Sequence, residues 1–105
     1  MRQILLMTFV SVFWAMPAMA DQIDGDWCGV DGKRLSINGP QIIIPSGKQI
    51  TGDYTRHGFV YTGPDGDPEM GEKIRMIQQS DELMLLYRST APDDAEQWRR
   101  CQIIS

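Results

Sequence analysis

His57, in the stretch RHGFVY, is the one histidine of the chain, so acid or base chemistry near neutral pH would fall on it first. No nucleophile accompanies it. Ser36, Ser46, Ser80 and Ser89 occupy turn- or strand-like contexts, and none sits in a G-x-S-x-G elbow. Alternation groups His57 with Phe59 and Tyr61, which reads as a half-buried strand histidine rather than a base. A second set of candidates is basic, with Arg56, Lys73, Arg75, Arg88, Arg99 and Arg100 recurring on strand-like stretches. If one sheet face gathered Arg75, Arg88 and Arg99, their planar forks could hold a carboxylate or phosphate. The alternative is cross-strand pairing with the abundant Asp and Glu. Arg56, His57, Arg75, Arg88 and Arg99 are thus the candidate ligand- or partner-binding residues, and no catalytic residue is assigned.

A third set is acidic. The segment DGDPEMGE offers Asp65, Asp67, Glu69 and Glu72, oxygen ligands of the kind calcium takes. Its spacing lacks the twelve-residue loop pattern and the closing bidentate Glu, while Asp-Gly and Asp-Pro are turn formers. The reading is a solvated hairpin tip, with neither metal nor cofactor expected.

The elements that must position these residues are short. Breakers recur at Asp31-Gly32, Asn38-Gly39-Pro40, Pro45-Ser46-Gly47, Gly63-Pro64-Asp65-Gly66, Ser80-Asp81 and Pro92-Asp93, leaving runs that suit strands rather than helices. Strands are expected over 25–30, 33–38, 41–44, 48–55, 57–62, 72–79 and 82–89, with a last one near 96–103. Only Asp93 to Arg99 could instead make a couple of helical turns. Ile42-Ile43-Ile44 and Leu83 to Tyr87 are apolar at successive positions, the pattern of central strands covered on both faces. The expected fold is all-β, an antiparallel meander of seven or eight strands forming a small barrel or strongly curled sheet.

Two cysteines, Cys28 and Cys101, each lie near a tryptophan, Trp27 and Trp98. With neither a C-x-x-C pair nor a His/Cys cluster, the expectation is a structural disulfide. Closing so long a loop stabilises by about 4 kcal/mol in the chain-entropy model. Both Trp–Cys spacings are odd, so in regular strands each Trp points away from its Cys. Adjacent first and last strands would then bury both indoles on one side and carry the disulfide on the other.

Residues 1–20 place Arg2 ahead of an apolar stretch that ends in Ala18-Met19-Ala20, which reads as a secretory signal cleaved after Ala20. The expectation is a periplasmic protein formed by residues 21–105, a single domain that is monomeric and not inserted in the membrane. The chain has 10 Lys and Arg against 14 Asp and Glu, for a net charge of −4. An acidic chain without a basic run argues against nucleic-acid binding, which rests on phosphate neutralisation.

Gly25-Asp26-Trp27 at the head of a strand meander resembles the entry to lipocalin-type small barrels. The frame D-W-C-x-x-D-G-K-R-L-x-I-x-G-P-x-I with Q-W-R-R-C near the end resembles small exported proteins of Gram-negative bacteria, and the size and single-disulfide logic are similar to those of compact periplasmic lysozyme inhibitors. Export, compactness, the lack of a catalytic constellation and strand faces of mixed charge point to a non-enzymatic domain that binds or inhibits another envelope protein. The alternative is a small-molecule binder holding an anionic or apolar ligand between the sheet and the 63–71 loop.

Overall fold

The computed structural model describes residues 22–102. The expected signal, its cleavage site and position 103 of the last expected strand lie outside the described residues. Within them the chain forms nine strands: β1 (Gly25–Cys28), β2 (Arg34–Asn38), β3 (Gln41–Ile43), β4 (Gln49–Thr51), β5 (Asp53–Thr55), β6 (Gly58–Thr62), β7 (Lys73–Gln78), β8 (Leu83–Arg88) and β9 (Ala91–Arg100). They pair antiparallel in one sheet of order β4-β3-β2-β1-β9-β8-β7-β6-β5. The last strand returns to the first, and the two edges of the sheet, β4 and β5, are consecutive in the chain. The result is a nearly closed up-and-down barrel.

The count exceeds the expected seven or eight because the 48–55 strand divides at Gly52. There β4 pairs with β3 and β5 with β6, so one extended segment serves both edges and joins them covalently. Gly52 makes the crossing possible: a Cβ there would lie 2.4 Å from the Phe59 ring and 2.6 Å from the Val60 carbonyl oxygen. Its N–H donates to the Pro40 carbonyl at 2.9 Å.

The remaining boundaries differ for local reasons. β1 stops at Cys28, and residues 30–32 form a short 3-10 turn with Asp31 at φ 59°. Gly29 packs its backbone on the Trp98 ring, where a Cβ would sit 2.5 Å from Cε2. β9 starts at Ala91, so the segment with the alternative helical reading, Asp93 to Arg99, is strand. It hairpins from Arg88 to Ala91 and absorbs a register shift between Leu86 and Arg88.

Alternation fills the barrel. Trp27, Trp98 and Phe59 are the largest fully buried side chains, surrounded by Ile23, Leu35, Ile42, Ile44, Ile74, Met76, Met84 and Leu86. β1 and β9 are adjacent, pairing Trp27 with Arg100 and Cys28 with Arg99. The indoles therefore enter the core while Cys28 and Cys101 bond outside it, their Cα atoms 5.0 Å apart. Arg100 closes one end of the barrel. It donates to the carbonyl oxygens of Gln22 (2.6 Å), Asp24 (2.5 Å) and Asp81 (2.8 Å), and its guanidinium carbon lies 4.1 Å from the centre of the Trp27 ring. Asp24 accepts hydrogen bonds there from the Gly39 N–H at 2.8 Å and from the Tyr54 hydroxyl, and that carboxylate pushes the Tyr54 phenol above its ordinary range.

One expectation about the strands is corrected. Ile43 is 43 % exposed, and Leu83, Leu85 and Tyr87 are only half-buried. The apolar runs of β3 and β8 thus bury one face in the barrel and leave the other toward solvent.

Candidate functional site

The candidate residues scatter. Arg56 and His57 are exposed in the turn between β5 and β6. The expected half-buried strand histidine is not found, because β6 begins at Gly58 and its inward alternation starts with Phe59. Arg75 and Arg99 point outward from β7 and β9, whereas Arg88, opposite the buried Ile74, turns into the barrel with its side chain 14 % exposed. The three arginines share no face. Along β8, Arg75 sits beside Tyr87 and Arg99 beside Leu83, which separates them by about 13 Å along the strand direction alone.

Arg88 is the hub of a polar network at the barrel end opposite Arg100. Its Nε donates to Glu96 at 2.7 Å, and its Nη1 donates to Glu69 at 2.8 Å and Glu72 at 3.2 Å. Glu69 also accepts from the Tyr61 hydroxyl at 2.6 Å, Glu72 from Thr90 at 3.2 Å, and Glu96 from the Trp98 indole at 3.2 Å. Burial first, and the Glu69 hydrogen bond second, push the Tyr61 phenol well above its ordinary range. Burial acts to raise Glu96, but the bonds from Arg88 and Trp98 outweigh it and hold the carboxyl below its usual range. Burial likewise opposes the Arg88 charge, and its Glu96 and Glu69 bonds leave the guanidinium above its ordinary value.

The 63–71 loop therefore lies folded against the barrel, which corrects the expectation of a solvated tip. Asp67 is 7 % exposed. It accepts from the Ser46 hydroxyl and from the Glu69 N–H, and those two bonds hold its carboxyl below the usual range. Gly63 allows the fold-back, since a Cβ there would lie 1.8 Å from the Glu69 carbonyl oxygen. Asp67, Glu69 and Glu72 spend their oxygens on these protein donors, a closure of the barrel rather than a cation cage. No group of three or more ligating side chains suited to a metal ion occurs among the described residues.

The outer face of β6–β8 is different in kind. Ladder register sets Val60 beside Arg75 and Arg75 beside Tyr87, then Ile77 beside Leu85, then Leu83 beside Arg99. Val60, Ile77, Leu83, Leu85 and Tyr87 are half-buried on this face. The Arg75 guanidinium carbon stands 4.6 Å from the centre of the Tyr87 ring. A contiguous apolar face holding Tyr and Arg has the composition of an interface core. The signal for it was present in the sequence as the unbroken run Leu83 to Tyr87, which reads as double coverage.

A second surface feature, a groove of about 600 Å³, runs between the 30–34 turn and the 43–47 segment. Its floor includes Leu35, Ile43, Ile44 and Pro45, and its walls include Asp26, Lys33 and Arg34. Ser36 donates to Asp26 at 2.6 Å. The 43–47 segment that lines this groove also holds the 63–71 loop, through the Ser46 hydroxyl on Asp67.

The chain matches no protein-family model, no curated protein and no solved structure.

Proposed function

We propose that the protein is a non-enzymatic binding domain of the cell envelope that docks on, or inhibits, another envelope protein through the outer face of β6–β8. The observation that carries this reading is the double-sided apolar pattern of β8. Met84 and Leu86 fill the barrel, while Leu83, Leu85 and Tyr87 form a second apolar surface that the described chain covers only in part. Covering what remains exposed of each half-buried side chain contributes a part of the about 1.5–3 kcal/mol that full burial of a leucine-sized side chain is worth, so it takes several together to supply the centre of a specific interface. The barrel interior is filled with its own side chains, as small barrels require, which favours a surface over a cavity.

The alternative is a small-molecule binder, and the groove floored by Ile43 and Pro45 is the observation in its favour. A native mass spectrum of the protein purified gently from the envelope separates the two. Partner binding predicts a bare chain that enters a larger complex when envelope extract is added. A persistent small adduct, lost with Ile43→Asp, would overturn the docking reading in favour of the groove.

A further inference from the structure

The partner's chemistry can be taken a step further. At one end of the apolar face, a groove of about 250 Å³ is lined by Lys73, Arg75, Tyr87, Arg88, Ser89 and Pro92. Two of its three cations are uncommitted: among the described residues, neither Lys73 nor Arg75 makes an ion pair. Arg88 is already matched by Glu69, Glu72 and Glu96. Beyond the other end of the face stands Arg99, exposed and likewise outside any ion pair among the described residues. The chain carries 14 acids against 10 cations. The apolar face is therefore flanked at both ends by cations outside any ion pair among the described residues, with Asp53 beside Val60 at its β5 margin.

We propose that this face receives an acidic protein segment, whose carboxylates engage Lys73 and Arg75 while neighbouring apolar side chains cover Ile77 and Leu85. The proposal rests on the docking function above and names its partner by charge. Arg75 is held over Tyr87 by the ring's quadrupole, so less side-chain freedom is lost when it grips a carboxylate in its planar fork. Lys73 adds a compact second charge. Charge also decides against a second copy as occupant. Two faces related by a twofold axis oppose either their Lys73–Arg75 ends to each other or each such end to the partner's Arg99, and both arrangements bring like charges together. An anionic lipid surface is disfavoured by the net charge of −4, which repels it as a whole.

The test places a photo-crosslinking amino acid at Leu85, and as a control at Thr51 on β4, in the full chain expressed in its native cells. Circular dichroism and melting confirm that each variant folds. The expected result is a discrete protein adduct at Leu85 and none at Thr51, with the crosslinked segment, mapped by mass spectrometry, carrying Asp or Glu beside apolar residues. Lys73→Glu with Arg75→Glu should lower its yield about tenfold or more, and Arg34→Glu, on the opposite side of the barrel, should leave it unchanged. A protein adduct that survives charge reversal, or that maps to a neutral or basic segment, overturns the acidic partner while leaving the docking function standing. An adduct to a second copy, or co-sedimentation with vesicles of phosphatidylethanolamine and phosphatidylglycerol in its place, overturns it as well. Absence of any protein adduct from Leu85, Ile77 and Val60 alike would remove the docking reading itself.

Discussion

Arg88 carries one positive charge into a site that holds three carboxylates, so its removal would leave Glu69, Glu72 and Glu96 close together without a counter-charge. Arg88→Ala is expected to cost about 3–5 kcal/mol, the range for breaking a desolvated ion pair on one side, read by urea unfolding at pH 7. The pH dependence distinguishes this electrostatic account from lost packing. In the native chain the Glu96 carboxyl is held below its ordinary value, so the stability it contributes is present above that value and declines as pH falls through the depressed pKa. In Arg88→Ala, Glu96 keeps the burial that raises its pKa and loses the Arg88 partner that lowers it, and a raised folded-state pKa makes the folded form gain stability as pH falls. The gap between the two proteins should therefore shrink from pH 7 to about pH 4.5; a constant gap would contradict the account. The sequence announced Arg88 as a surface cation candidate, because alternation within LMLLYR does not reveal which parity faces inward. Its neighbours Tyr61, Glu69 and Glu96 lie eight or more residues distant, the nearest of these bonds spanning eight positions, and pattern reading has no access to such contacts.

Most of the strands were legible because turn residues punctuate the chain so regularly, and the Trp–Cys parity located the closure of β1 on β9 correctly. What stayed hidden was set by backbone contacts. Nothing in the stretch around Gly52 says that its Cα must pass against Phe59 and the Val60 carbonyl, so one expected strand proved to be two edges of a barrel. Gly52→Ala should therefore destabilise the barrel by about 1–3 kcal/mol through overpacking, seen as a lower unfolding midpoint with an unchanged far-ultraviolet spectrum. The loop after β6 has its own glycine. Gly63→Ala would drive a methyl into the Glu69 carbonyl and should lift the loop from the barrel. Its signature is faster amide exchange at Asp67, Met70 and Gly71, whose N–H groups bond to Pro64, Asp67 and Gly63. Exchange as slow as in the native chain would contradict the packing described. The acid-rich composition of this segment suggested hydration because sequence shows the charges and conceals Ser46 and Arg88, the donors that meet them.

At the scale of the whole molecule, a covalent tie and an open face divide the labour. The Cys28–Cys101 bond closes a loop of 73 sequence positions and joins β1 to the end of β9, where the barrel's own ladder holds two residue pairs. Cys28→Ser with Cys101→Ser should lower stability by about 4 kcal/mol in the chain-entropy model, measured as a drop in unfolding free energy, and reductant should lower the melting temperature of the native chain alone. The outward side chains of β6–β8 are less buried than the barrel core, so changing one of them should cost less stability than changing a core residue. The most direct measurement is analytical ultracentrifugation of fluorescently labelled native chain and Leu85→Asp in envelope extract, with melting curves taken in parallel. The account predicts a faster-sedimenting complex for the native chain, its loss in Leu85→Asp, and melting temperatures within a few degrees of each other. A complex that persists undiminished in a folded Leu85→Asp would contradict the assignment of this face as the binding surface.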